Sequence, residues 1–352
     1  MSFPSHYTRA AFKEAGGKLI IEEVELTPPG PGEVLVKVEA CGVCFSDTAA
    51  QTFGMGGKFP ITPGHEIIGN VVATGDGVKD WKVGDRIGGG WHGGHDEESM
   101  RWRGKLTFTG SCGSCRKGHY QMCESQDING LTKNGGYAQY VILRAEAGVA
   151  VPAHVPAAEY APILCAGLTV FNSMRQMAVK PGSTVAIQGL GGLGHLAIQY
   201  ANRFGYRVVA ISRDDQKEKF VRDLGAHEYI NTSKEEVGPA LQKLGGASLI
   251  VATAPNAKAI SPLLQGLGPL GKLLILAIPG EIPLDSALMV NKGLSVHGWP
   301  SGHAVDSEET LRFTELENIK CMVQTFPLDR ANEAFDAMIS GSVRFRAVIT
   351  MQ

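Results

Sequence analysis

Between Ser183 and Lys217 the chain reads strand, glycine-rich turn, helix, strand, and few folds accept that order. Thr184-Val185-Ala186-Ile187-Gln188 is a short apolar, β-branched run of the buried-strand type. Gly189-Leu190-Gly191-Gly192-Leu193-Gly194 follows. The next run, to Phe204, sets Leu193, Leu196, Ala197, Tyr200, Ala201 and Phe204 on one helical face. Arg207-Val208-Val209-Ala210-Ile211-Ser212 is then a second buried strand. Inside such a βαβ unit Gly189 allows the tight turn, Gly191 lets backbone approach a pyrophosphate, and Gly194 lets the helix pack close to the sheet. The pyrophosphate rests on the helix N-terminus, where unpaired N–H groups and the dipole favour an anion. Glycine makes up 45 of 352 residues, nearly twice the usual ~7%. The bare pattern therefore carries little weight, and the strand–helix–strand frame carries the reading.

The rest of the chain, long enough for two domains, has two textures. Residues 18–40 alternate and are rich in Val, Ile and Glu, broken by Pro28-Pro29-Gly30-Pro31-Gly32, which predicts antiparallel strands joined by a loop. Strand signals recur at Ile67–Ala73, Arg86–Gly90 and Tyr137–Leu143, so residues 1 to about 155 read as an all-β lobe of barrel type. From about Glu159, strands at 184–188, 207–211, 248–252, 272–277 and 293–298 alternate with helices near 193–204, 215–224 and 255–267. That alternation predicts a doubly wound parallel sheet of the α/β class. Beyond Pro300 the spacing predicts amphipathic helices near 308–317 and 329–340 and a last strand at Phe345–Thr350.

With 33 basic and 35 acidic residues, a net charge of −2 and no run of five like charges, nothing draws the chain to nucleic acid or to an anionic membrane. Met1 to Phe12 has no apolar core of the signal-peptide kind, and the longest apolar run, Leu273 to Ile278, is too short to cross a bilayer. A soluble, cytoplasmic protein is expected. Of seven cysteines, three fall in one tight cluster, which in a reducing compartment argues for metal rather than disulfides.

Cys44 lies in Gly42-Val43-Cys44-Phe45-Ser46-Asp47, and His65 in Pro63-Gly64-His65-Glu66. A single cysteine is most often a small core hydrophobe, and a single histidine a satisfied structural side chain. These two segments, the glycine-rich βαβ unit, the Val83-Gly84-Asp85-Arg86 turn and Leu164-Cys165-Ala166-Gly167 occur in order over nearly the whole chain. In that set the chain resembles the zinc-dependent medium-chain alcohol dehydrogenases. Within them it is most similar to the fungal and bacterial alcohol dehydrogenases and the cinnamyl-alcohol-dehydrogenase-like aldehyde reductases.

The resemblance implies a GroES-like β-barrel catalytic domain over 1–158, with a structural-zinc lobe at about 91–127. It implies a Rossmann cofactor-binding domain over 159–300 and a return to the catalytic domain over 301–352. It makes Cys44, His65 and Cys165 the catalytic zinc ligands, with substrate or water fourth and Glu66 able to approach the metal. Two thiolates and one imidazole neutralise Zn²⁺ and leave an open position, where the metal acts as a Lewis acid. Asp47 would orient the His65 ring, and Ser46 would begin the proton relay. The resemblance also implies cofactor contacts from Thr169, Gly189, Gly191, Gly192, Leu193 and Gly194. Two departures stand out: Phe45 where the family often has His, and Ala49 where some relatives carry a relay histidine. Protons are then expected to leave through ribose hydroxyls and water.

Cys112-x2-Cys115-x7-Cys123 has structural-zinc spacing. The family pattern adds a ligand three residues before the first of these, here Thr109. Relatives have that ligand just after the Trp91–His95 segment, where this chain has Asp96, and fifteen residues, Glu97 to Ser111, separate it from Cys112. Asp96 is the expected fourth ligand across this insertion, His95 and His119 are weaker candidates, and an unfilled site is the competing reading. Cys41 and Cys321 have no ligand spacing and read as core.

An NAD enzyme of this type places an acidic residue at the end of the second strand, on the ribose 2′-OH. Here Ile211 is followed by Ser212 and Arg213, with Lys217 four residues on, while Asp214 and Asp215 fall past the strand end. The bland reading is a solvated charged start to the next helix. The Ser-Arg-x3-Lys arrangement resembles the NADP-dependent aldehyde reductases, whose Ser, Arg and Lys hold the 2′-phosphate, so NADP(H) is expected. The expected activity is hydride transfer between NADP(H) and a primary alcohol or aldehyde. Two alternatives are a zinc-free-type quinone or enoyl reductase, against which the zinc ligands argue, and a non-enzymatic cofactor-binding protein. Trp91, Phe53 and Trp299 are candidates to line an apolar substrate pocket or to be core. The strand Leu294–Gly298 is the expected dimer edge, implying a homodimer or homotetramer.

Overall fold

The computed structural model describes residues 4–95 and 112–351. The chain divides into two compact units. One takes the chain up to Cys165, then Gly302–Phe313 and the stretch from Cys321; the other takes Ala166–Ser301 and Thr314–Lys320.

The first unit is built on the long strand Glu33–Val43, whose residues Val34, Leu35, Val36, Val38, Cys41 and Val43 are all buried. It pairs antiparallel with Ile67–Thr74, Tyr140–Arg144 and Arg346–Thr350. Arg86–Gly89 and Val149–Ala150 extend the sheet on one side, and Val323–Pro327 closes it on the other, parallel to Arg346–Thr350. Two irregularities in register against Ile67–Thr74, at Leu35/Val36 and Val38/Ala40, are bulges, and bulges bend a strand and raise its twist. The hairpin His6–Phe12/Leu19–Glu25 and helix Ala331–Ser340 cover the core, with Phe12 edge-on to Phe335 at 5.6 Å between ring centres. Each such buried aromatic contributes about 1.5–3 kcal/mol relative to exposure.

The second unit is a six-stranded parallel sheet. Its order is Glu228–Asn231, Arg207–Ser212, Thr184–Gln188, Ala247–Ala252, Leu267–Ile275, Ser295–Gly298. Val185, Ala186, Ile187, Val208, Val209, Ala210, Leu249, Ile250 and Val251 are wholly buried, as strands covered by helices on both faces must be. The strand order reverses between Thr184–Gln188 and Ala247–Ala252, and the glycine-rich turn leaves the sheet at that switch point, where doubly wound folds bind ligands.

Most expected elements form. Helix 255–267 is split into Ala257–Ile260 and a 3₁₀ stretch Ser261–Gly266, because Pro262 has no N–H to donate. The expected helix 215–224 likewise begins as 3₁₀ at Asp215–Lys217 before turning α over Glu218–Asp223. Strands Glu228–Asn231 and Val323–Pro327 and helix Val237–Lys243 had no clear signal. The two strands bury only Ile230 with Asn231, and Phe326, respectively.

Candidate active site

Neighbouring strands of the first unit bring the site together. Cys44 follows the end of Glu33–Val43, and His65 and Glu66 directly precede Ile67–Thr74, whose Ile67 pairs with Cys41. Cys165 follows the 3₁₀ turn Ala161–Leu164 of the same unit. Ligand atoms of Cys44, His65, Glu66 and Cys165 all lie within 4.8 Å of one another.

The donor set fits a tetrahedral metal. Two sulfurs each about 2.3 Å from one zinc, at tetrahedral angle, stand about 3.8 Å apart; the Cys44 and Cys165 sulfurs are 3.9 Å apart. His65 is 1% exposed, and among the described residues its Nε2 has no hydrogen-bond partner. An orphaned buried ring nitrogen of this kind is costly unless something ligates it. The bond from Cys165 holds the Cys44 thiol well below its ordinary pKa despite burial, while the same bond and burial push Cys165 well above it. The two sulfurs thus favour opposite protonation states when no cation lies between them.

Asp47, 2% exposed at the start of helix Asp47–Phe53, ties the site together. Its Oδ1 lies 3.1 Å from His65 Nδ1 and accepts from the Gly64 N–H at 3.3 Å. Its Oδ2 accepts the Cys44 N–H at 2.9 Å and the Tyr137 hydroxyl at 2.8 Å. Burial disfavours a charged His65 ring, but Asp47 and the Cys44 sulfur outweigh it and hold the pKa well above the ordinary value.

Glu66 is wholly buried and ion-paired to Arg346, itself 5% exposed. Burial raises the carboxyl to about 7 against the pull of Arg346. An added Cβ on Gly42 would sit 1.8 Å from Glu66 Oε2, so only glycine admits this carboxylate. Trp91 packs edge-on against His65, with ring centres 4.9 Å apart. Ser46 is half-buried just ahead of its helix and makes no capping bond, while Phe45 and Phe53 are exposed. Trp299 belongs to the other unit.

A second sulfur group lies in the same unit. Cys112 is 3.6 Å from Cys115 and 3.9 Å from Cys123, sulfur to sulfur, and all three sulfurs lie within 4.8 Å of one another. Asp96 and the 97–111 insertion lie outside the described residues. Among the described residues neither His95 nor His119 joins the group; His95 stacks on Tyr120 at 4.2 Å instead.

In the second unit the glycine turn has the shape of a phosphate cradle. Gly189 takes φ +91°, and a Cβ on Gly194 would sit 1.9 Å from the Gly189 carbonyl oxygen. A Cβ on Gly191 meets nothing within 4 Å, leaving open space over that backbone. Gly192 and Leu193 are half-buried beside it, at the start of helix Gly194–Arg203. Thr253, which sequence reasoning missed, donates to the carbonyls of Gln188 and Gly189 at 3.0 and 2.9 Å. Thr169, on helix Ala166–Gln176, bonds its hydroxyl to that of Ser301 at 3.0 Å.

Ser212 ends strand Arg207–Ser212, and Lys217 Nζ reaches back to the Leu190 carbonyl at 3.2 Å. Each nearby carboxylate has a local partner. Asp214 accepts from the Gln216 N–H at 2.9 Å as an N-cap, and Asp215 is held by Asn231 and Lys234. Arg213 is exposed and makes no ion pair among the described residues.

Comparison with known proteins agrees with both units. The family model of the alcohol dehydrogenase GroES-like domain matches residues 30–153, and that of the zinc-binding dehydrogenases matches 192–315. The chain is 62% identical over 348 residues to alcohol dehydrogenase patD of Penicillium expansum, covering 99% of this chain and 98% of that protein. It is 56% identical over 351 residues to alcohol dehydrogenase notN of an Aspergillus species, covering 100% of both. Among solved structures, a cinnamyl alcohol dehydrogenase of Sorghum bicolor superposes with a TM-score of 0.85 at 28% identity, covering 98% of this chain and 97% of that one.

Proposed function

The chain belongs to the zinc-binding medium-chain alcohol dehydrogenases, and on that footing we propose that it interconverts a primary alcohol and its aldehyde with NADP(H). Membership makes it an oxidoreductase with zinc and a pyridine nucleotide. The coenzyme choice, the substrate class and the roles below are the proposal.

Cys44, His65 and Cys165 would hold the catalytic zinc. The observation that carries this is the 3.9 Å sulfur spacing beside an orphaned His65 Nε2. Zinc there supplies Lewis-acid polarisation of the substrate oxygen, and the nicotinamide carries the hydride. Asp47 keeps the His65 Nδ1 hydrogen engaged, so that Nε2 presents its lone pair. Ser46 Oγ holds and passes on the substrate hydroxyl proton. Glu66, kept close by Gly42 and Arg346, is a reserve carboxylate beside the ligands. Trp91, packed on His65, is an apolar wall that favours an apolar substrate group.

NADP(H) is favoured by the same logic. Asp214 and Asp215 lie past the strand end and have local partners, while Ser212 ends the strand with Arg213 and Lys217 close by to meet the 2′ position. A charge-assisted bond to phosphate is worth roughly 1.5–3 kcal/mol. Thr169, Gly189, Gly191, Gly192, Leu193 and Gly194 would bind the rest of the dinucleotide. Asp96 with Cys112, Cys115 and Cys123 would hold a second, structural zinc. Strand Ser295–Gly298 is an edge of its sheet, which suits pairing in a homodimer or homotetramer. A quinone or enoyl reductase of zinc-free type is the second reading, and the paired thiolates weigh against it.

Screening an aldehyde panel for NADPH and NADH consumption, before and after removal of zinc, tests the proposal. Zinc-dependent turnover with NADPH preferred supports it; turnover indifferent to zinc contradicts it.

A further inference from the structure

We propose that Tyr137 is a positioning residue of the active centre, its hydroxyl pinning the Asp47 carboxylate that in turn holds the His65 ring. Tyr137 is wholly buried and among the largest fully buried side chains of the protein. A hydroxyl taken so deep is costly unless it is bonded, and a phenylalanine would fill the same space without that cost. The bond it makes is to Asp47 Oδ2, at 2.8 Å.

The rest of the geometry shows what that bond does. With it, each Asp47 oxygen has two donors: Tyr137 and the Cys44 N–H on Oδ2, and His65 Nδ1 and the Gly64 N–H on Oδ1. All four lone-pair sites of the carboxylate are then occupied, and the group has one orientation. The tyrosine is anchored on the same loop it orients. Its N–H donates to the Pro63 carbonyl at 3.1 Å, and a Cβ on Gly64, the residue before His65, would sit 2.5 Å from its ring. Remove the hydroxyl and Asp47 keeps its contacts to backbone and to His65 but loses the one side-chain donor that Oδ2 has among the described residues. The carboxylate can then swing, and the imidazole with it.

The inference rests on Cys44, His65 and Cys165 being zinc ligands, and the test separates the two. Wild type, Cys44→Ser, Tyr137→Phe, Asp47→Asn and the Tyr137→Phe/Asp47→Asn double variant are titrated with a zinc chelator, Cys44→Ser marking whatever zinc is held elsewhere. Tyr137→Phe should weaken the active-centre zinc about tenfold, the low end of the 10- to 100-fold range for groups that orient a ligating histidine. It should lower kcat with little change in KM for the nicotinamide cofactor, and add nothing on top of Asp47→Asn. Zinc lost from Cys44→Ser but held normally by Tyr137→Phe, with kcat unchanged, overturns this inference alone, even if thermal stability falls. Zinc kept by Cys44→Ser overturns the ligand reading and this inference with it. Should Tyr137→Phe not fold, 3-fluorotyrosine at 137 keeps the shape but strengthens the donor. Zinc release identical to wild type in that protein would also overturn the proposal.

Discussion

Asp47 Oδ1 lies 3.1 Å from His65 Nδ1, while the far nitrogen of the same ring is buried with no hydrogen-bond partner among the described residues. One carboxylate thereby fixes the tilt of the imidazole. A second carboxylate, Glu66, is one residue from His65 and is ion-paired to Arg346 beside the same atoms. The two buried acids therefore have different partners, Asp47 the His65 ring and Glu66 the Arg346 guanidinium.

Replacing Cys44 by Ser should abolish most turnover. A serine hydroxyl is a harder ligand that must be deprotonated at much higher cost. We expect kcat/KM for aldehyde reduction to fall by at least about 100-fold, beyond the usual loss on removing a ligand's partner, while circular dichroism stays native. Near-normal reduction would contradict a metal mechanism through Cys44.

Zinc loading of the metal-free protein should release protons and weaken as pH falls. The bond to Cys44 and burial raise the Cys165 thiol, and Asp47 with Cys44 raises the His65 ring, so in the metal-free protein both lean toward the protonated form. Zinc takes thiolate and neutral imidazole, so it competes with protons, and its affinity should rise with pH by up to about tenfold per unit for each proton expelled. Calorimetry in buffers of different ionisation enthalpy counts those protons; an affinity flat from pH 6 to 8 would contradict the assignment.

Ser212→Asp should place a carboxylate where the 2′-phosphate is expected and offer the ribose contact used by NAD enzymes. The NADP-to-NAD ratio of kcat/KM should fall at least about tenfold, equal to about 1.4 kcal/mol. An unchanged ratio would mean that Ser212, Arg213 and Lys217 face solvent.

Much of this site is legible in sequence because zinc ligands and phosphate cradles need fixed residue types at fixed local spacing. Cys44 with Asp47, His65 with Glu66, and the Gly189–Gly194 turn are all short-range patterns. Tyr137, Arg346 and Thr253 are not. Arg346 meets Glu66 across 280 positions of chain, and Thr253 meets Gly189 across 64, so only sheet pairing brings them together. The weak edge strands escaped for a related reason: with one or two buried residues each, they carry no alternation to read.

Gly42→Ala should destabilise the first unit although it adds one methyl group. The new carbon would overlap Glu66 Oε2 at 1.8 Å, and the buried Glu66–Arg346 pair cannot move without losing its geometry. Overpacking of this kind costs about 1–3 kcal/mol. Denaturant unfolding should show it, and a midpoint equal to wild type would contradict the packing described.

Asp96→Ala tests the lobe. Three sulfurs leave a tetrahedral zinc one ligand short, and structural sites are normally closed. A fifteen-residue excursion is no obstacle to Asp96 as the fourth, since doubling a loop's length costs only ~0.6 kcal/mol. Wild type should carry two zincs per chain, and the variant one, with lower thermal stability and catalysis retained. One zinc in fresh wild type would remove the second site.

The most direct test of the central claim is anomalous diffraction at the zinc edge on crystals of the purified protein. A zinc peak is expected about 2.3 Å from the sulfurs of both Cys44 and Cys165 and about 2.0 Å from His65 Nε2, with Asp47 still on Nδ1. Zinc bound through Nδ1, or no zinc between these three side chains in active protein, would contradict it.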